Sequence, residues 1–284
     1  MTLAMKTVLV PIEQNDAMAS TLETALLFAR KFDSYVEGFA LRAALSNLVD
    51  MESGSPMLAD SFAQQFQEAE KEAHSLFEGF MQGRGIPRAA AEPTATLSFG
   101  WRENAPEGDH FIGSHGRVFD ITVLGRPGPH RKGVGMALLE VALFDSGHPI
   151  LIAPPAPVQS IGTNVLIAWN CSTEQARATA SAMPILRQAE RVTVLNVEGG
   201  NGVPGPSSEE LGRYLKSHGI AAQQKSVGLD GRSTGEAILA TARALDCDLL
   251  VKGAYTQSRL RQMFFGGTTR HILSNATLPV LMAH

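Results

Sequence analysis

The chain has 284 residues, 44% hydrophobic and 18% charged, with a formal net charge of −4 at pH 7. That length suits about two domains of the usual ~100–200 residues, and the composition is that of a globular chain rather than a disordered one. The acidic balance excludes a general electrostatic attraction to nucleic acid or an anionic membrane. Two cysteines, Cys171 and Cys247, are too few for a disulfide framework and favour a reducing compartment. No apolar run reaches the ~18–20 residues of a membrane span, and MTLAMKTVLVPIEQ turns polar too early for a signal peptide. A cytoplasmic protein is expected.

KTVLVPI, from Lys6, is apolar and β-branched and predicts a strand. Leu22, Leu26, Ala29 and Phe32 then recur at helical spacing after Ser20, and YVEGFALR predicts a second strand. A long helix is expected over Ala63–Met81, with Phe66, Ala69, Ala73 and Phe77 on one face. The stretch from Gly100 to Gly116 is irregular and carries no element. Its His110 and His115, beside Asp109, lack any familiar zinc spacing and are expected to be solvated loop histidines. DITVLG from Asp120 and HPILIAPP from His148 predict the last strands of this half, and the Pro-rich Ala153–Gly162 reads as a linker.

In the second half NVLIAW predicts a buried strand, and Ser172 with Gln175 three residues on predicts a capped helix from Thr173 to about Ala189, kinked or divided at Pro184. RVTVLNV, Arg191–Val197, is a second strand. The loop Gly199–Ser208 ends in another capping pattern, Ser207 to Glu210, opening a helix to about Ser217. The polar AAQQKSVG, Ala221–Gly228, predicts a strand near a sheet edge. TGEAILATARAL (Thr234–Leu245) is a helix, and DLLVKG and LPVLMA close the half as strands.

The two halves repeat. KTVLVPIEQND matches TNVLIAWNCST from Thr163, DITVLG matches DLLVKG, and HPILIAPP matches LPVLMAH. Two duplicated domains follow, 1–156 and 157–284. Strand–helix alternation with near-continuously apolar strands signals a parallel sheet covered on both faces. Such doubly wound sheets bind ligands beyond the carboxyl ends of their strands, where Asn170, Val197 and Gly253 lie.

Leu249–Leu273, LLVKGAYTQSRLRQMFFGGTTRHIL, raises a specific chemistry. Gly253 closes a strand, where a missing side chain admits a ligand to the backbone. Gly266, Gly267, Thr268 and Thr269 open a helix, whose free amides and positive end favour phosphate. Lys252, beside Gly253, joins them as a candidate. Strand-end punctuation and an ordinary helix cap are the competing explanation. Cys171, after the first strand of this half, reads as a small turn residue, with a helix N-terminus that would lower its thiol pKa. No Walker loop, nucleophile elbow or metal-binding helix occurs.

VLIAWNCSTEQARA and GAYTQSRLRQMFFGGTTRHILSNATLPVLM together resemble the universal stress protein family, as a tandem of two such domains across the chain. The resemblance implies two doubly wound, five-stranded parallel α/β domains of Rossmann-like type related by a pseudo-twofold axis, with fifth strands that pair. It also implies adenine nucleotide binding through G-x2-G-x9-G-[ST]. Here Gly253 fills the first position and Thr256 replaces the second glycine. Nine residues, Gln257 to Phe265, lead to Gly266, and Gly267 and then Thr268 follow where the family has Ser or Thr. Asn170 stands where the family carries an acid after strand one. In the first half Gly125 and Gly128 keep the first two glycines but Leu138 replaces the third, so that loop is a degenerate copy.

The expectation is thus a stress-response protein that binds ATP or another adenine nucleotide in its second domain. Ala168, Asn170 and Val197 would flank base and ribose, and Lys252, Gly253, Thr256, Gly266, Gly267, Thr268 and Thr269 would cradle the phosphates. No metal is expected beyond magnesium carried by the nucleotide, and no catalytic residue is assigned, so at most slow ATP hydrolysis. A homodimer and a protein partner are expected alongside. The alternative is a nucleotide-independent interaction module, which the departures Thr256 and Asn170 favour.

Overall fold

The computed structural model describes residues 5–41, 56–90, 96–127, 135–254 and 267–284, with side chains from residue 64 onward in the second helix. Of the predicted site residues, Thr256 and Gly266 lie outside this set, as does Gly128.

Residues Met5–Gly147 form one compact unit and His148–His284 belong to another. The first unit carries β1 (Thr7–Ile12), α1 (Met18–Phe32), β2 (Tyr35–Ala40), α2 (Pro56–Gly83), β3 (Ser98–Arg102), α3 (His110–His115), β4 (Ile121–Gly125) and α4 (Met136–Asp145). Its strands lie in the order β3-β2-β1-β4, all parallel. Phe28, Phe39, Phe77 and Phe99 are fully buried about this sheet, each taking a large apolar area out of water. The α2 stripe is Phe77 and Met81 with Ala73, all buried, whereas Ala69 faces out.

The stretch Gly100–Gly116, which carries no predicted element, holds the end of β3 and all of α3. Trp101 and Phe99 stand on β3, with Phe77 of α2 edge-on to Phe99 at 5.7 Å. Gly100 interrupts the short strand SFGWR, whose pairing with β2 fixes it in the sheet.

The second unit opens on β5 (Ile150–Ala153) and continues with β6 (Asn164–Trp169), α5 (Thr173–Leu186), β7 (Arg191–Glu198), α6 (Ser208–Ser217), β8 (Ala222–Gly228), α7 (Thr234–Ala244), β9 (Leu249–Gly253), α8 (Gly267–Asn275) and β10 (Val280–Ala283). Its strand order is β5-β10-β9-β6-β7-β8. The five strands β6–β10 are mutually parallel, and β5 runs antiparallel to β10 with Leu151 opposite Leu281. The fifth strands of the two halves therefore pair, both inside this unit. The polar β8 sits at the edge, as its composition predicts.

The helix starts follow their caps. The Ser172 hydroxyl accepts from the Gln175 amide, and Ser207 with Glu210 and Ser233 with Glu236 form complete capping boxes. Pro184 falls in the last turn of α5, so the helix stops at Leu186 rather than kinking and running to Ala189. Among the described residues no helix is long and apolar enough to cross a membrane.

The repeated aspartates explain part of the duplication. Asp120 Oδ2 accepts from the amides of Lys6 (2.7 Å) and Thr7 (2.9 Å). Asp248 Oδ1 accepts from the amides of Thr163 (2.9 Å) and Asn164 (2.8 Å). In each half a carboxylate at the foot of the fourth strand satisfies the amides that start the first, which fixes their register.

Candidate functional site

The candidate site lies at the carboxyl ends of β6, β7 and β9. β6 ends at Trp169, and the chain turns through Asn170 and Cys171, whose φ of 65° is left-handed. Asn170 Oδ1 accepts from the Ser172 amide at 3.2 Å, so the side chain helps to aim the turn into α5. Ala168 is 6% exposed on β6, paired with Leu195 of β7. Val197, near the end of β7, is half-buried and pairs with Val227.

Gly253 closes β9, and its neighbourhood is filled by protein. A Cβ built there would lie 2.3 Å from the backbone nitrogen of Gln175. The absent side chain thus lets the first turn of α5 rest directly on the strand. The Gly253 amide donates to Gln175 Oε1 at 2.7 Å, and Gln175 Nε2 donates to Val251 O at 3.3 Å. Gln175 is 1% exposed, a buried amide that bridges two ladder positions on the strand.

Lys252 sits on the preceding position and is 6% exposed. Its Nζ donates to Gly253 O at 2.7 Å and to Thr269 Oγ1 at 3.1 Å. Burial pushes its pKa from the ordinary 10.5 down to about 8, and the charge of Glu174 opposes that fall. A cation therefore lies buried beside the positive end of α8, where an anion would meet both. At Gly267, which opens α8, an added Cβ would meet no atom of the described residues within 4 Å. Thr268 Oγ1 accepts from Asn201 Nδ2 at 3.1 Å.

The structure therefore joins Lys252, Gly253 and Thr269 by direct hydrogen bonds, and separately ties Thr268 to Asn201 of the loop after β7. Asn170 is linked to the same loop, since the Val203 amide donates to Asn170 O at 3.1 Å. Ala168 belongs to the core of the sheet. Two residues here escaped the sequence. Gln175 reads only as the third residue of a cap, and Asn201 only as one polar residue among the glycines of GGNGVPG. Asn201, flanked by glycines on both sides, was the one visible signal of a built turn.

The residues fit an anionic group at the α8 end, because Lys252 is a buried cation set against a helix N-terminus. Lys252, Thr269, Thr268 and the Gly267 amide are the groups that would hold phosphate.

Two expectations need correction. The Cys171 thiol has its pKa raised, not lowered: burial dominates, a hydrogen bond involving Trp169 opposes it, and Glu210 adds to it. His115 is not a solvated loop histidine. Its Nε2 lies 2.6 Å from Glu37 Oε1 with 14% of the side chain exposed, and its ring stacks on Phe111 at 4.8 Å. Tyr35 donates to the other Glu37 oxygen at 3.0 Å, and its own pKa is raised by burial and by that carboxylate. Among the described residues no group of three or more His, Cys, Asp or Glu could hold a metal. In the first unit the position matching Asn170 holds Glu13, whose pKa burial raises against a hydrogen bond from Asn15, with Asp109 adding to the rise. Leu138, at the third-glycine position of that half, is buried in α4.

Comparison with known proteins agrees with the geometry. The sequence profile of the universal stress protein family matches residues 163–284. Among solved structures the chain is similar to a universal stress protein from Archaeoglobus fulgidus DSM 4304. That match has a TM-score of 0.68 at 16% identity and covers 98% of this chain and 97% of that one. It is also similar to a putative universal stress protein from Pseudomonas aeruginosa UCBPP-PA14, with a TM-score of 0.56 at 16% identity, covering 99% and 93% of the two chains. No curated protein matches the chain in sequence. Residues 163–284 are thus similar to the universal stress protein family, and the chain carries the tandem α/β fold of those solved structures.

Proposed function

We propose that the second unit binds an adenine nucleotide, ATP or a close relative, with its phosphates at the first turn of α8. The observation that carries this reading is Lys252, a lysine 6% exposed whose Nζ reaches Thr269 at 3.1 Å beside a helix N-terminus. Burying an ammonium group costs several kcal/mol, on the order of the penalty for any desolvated ion. An anion in the crevice offsets that cost and complements the helix end. Magnesium would enter with the nucleotide. The test is titration of the purified full chain with ATP, followed by heat release. Saturable binding that Lys252→Met weakens supports the reading, and no binding at millimolar ATP overturns it.

A second reading rests on a different observation. The Gly253 amide is taken by Gln175 and the Thr268 hydroxyl accepts from Asn201, so polar groups of the crevice already have protein partners. On this reading the chain is an interaction module acting through its surface, with a second copy or another protein as partner. A partner captured equally with and without ATP, and equally by Lys252→Met, decides for it.

A further inference from the structure

The loop between β7 and α6 crosses the carboxyl end of β6 and is fastened at several points. At its far end Pro206 O accepts from Trp169 Nε1 at 2.8 Å and from the Cys171 thiol at 3.1 Å. A Cβ on Gly205 would lie 2.8 Å from Cys171 Cβ, so the loop is seated directly on that turn. In its middle the Val203 amide donates to Asn170 O. At its near end the Asn201 amide donates to Thr234 Oγ1 at 3.3 Å, and Asn201 Nδ2 donates to Thr268 Oγ1 at 3.1 Å. The chain leaves β7 through Gly199, at φ 72°, a conformation glycine adopts without steric cost.

Two of these ties fall on residues assigned to the nucleotide, Asn170 at one side and Thr268 at the other. We propose that Gly199–Pro206 is an internal strap that closes the nucleotide crevice, with Asn201 holding the Thr268 hydroxyl that a phosphate takes when nucleotide enters. The inference rests on the nucleotide reading above and adds its regulation. The strap is hinged, not free. Pro206 is held by a buried indole and a close-packed turn, and Pro204 and Pro206 stiffen that end. The Asn201 end is exposed and held by single neutral hydrogen bonds, each a modest net contribution. Opening therefore starts at Asn201 and swings Gly200–Val203 about the Pro206 end. Nucleotide affinity is then the intrinsic affinity reduced by the fraction of molecules with the strap closed.

The experiment uses the full chain, a fluorescent methylanthraniloyl ATP, and two variants that each cut one near-end tie, Asn201→Ala and Thr234→Val. Amide hydrogen exchange at Val203 is followed in parallel. Each variant is expected to bind roughly two- to tenfold tighter than the parent, the span of one net hydrogen bond, and to exchange the Val203 amide faster. Parent and variants binding equally, or variants binding more weakly, overturns the strap and leaves nucleotide binding standing. No binding by any of the three overturns the nucleotide reading and the strap with it. Faster exchange without tighter binding shows a loop that opens without gating the site, and also overturns the strap.

Discussion

The Gly253 amide donates to the side chain of Gln175 across 78 residues of sequence, at 2.7 Å and out of solvent. The glycine that marks the head of the family's nucleotide loop is here a packing residue, with α5 resting where its side chain would be. Gly253→Ala would set a methyl 2.3 Å from a backbone nitrogen, so strand and helix must separate. The expected loss is about 1–3 kcal/mol of stability, the usual cost of overpacking, read by chemical denaturation. Gln175→Ala leaves the buried Gly253 amide without its partner and is expected to cost about 1–3 kcal/mol.

Lys252 gives the protein a pH signature. In the unfolded chain the lysine keeps its proton to about 10.5, and in the folded chain only to about 8. Between those values the unfolded state binds more protons, so stability rises with pH across that window, while below pH 8 the cost of the buried charge is fully present. Denaturation from pH 7 to 10.5 should show this rise in the parent and not in Lys252→Met. An anion in the crevice raises the lysine pKa again. Nucleotide affinity should therefore fall above pH 8, with proton uptake on binding there, measurable by titration in buffers of different ionisation enthalpy.

The paired aspartates make a structural prediction separate from the ligand. Asp248→Ala leaves the amides of Thr163 and Asn164 without their shared acceptor and should cost about 1–3 kcal/mol. Asp120→Ala should cost a similar amount through Lys6 and Thr7. Denaturation of each variant checks this, and nucleotide titration of Asp248→Ala should give the parent's affinity.

Strands such as Asn164–Trp169 and Leu249–Gly253 were legible because a strand buried on both faces is apolar throughout. The caps at Ser172 and Ser207 were legible because their hydrogen bonds are local. What escaped was set by contacts distant in sequence. Residues Ser98–Arg102 pair with β2, and His115 is held from solvent in part by Glu37 of that strand, 78 residues away in sequence. In the site, the nucleotide-loop spacing drew attention to Gly253 and Thr268 but gave no sign that Gln175 and Asn201 already bond them. Lys252 is a candidate in the sequence through its place beside Gly253, and its burial beside Thr269 is a contact that no spacing reveals.

The most direct test is calorimetric titration of ATP into the parent chain and into Lys252→Met at pH 7. The account predicts saturable binding by the parent and roughly ten- to hundredfold weaker binding by the variant, the range for losing a hydrogen bond to a charged group. Equal affinity in the two proteins, or no heat of binding from the parent at millimolar ATP, would contradict it.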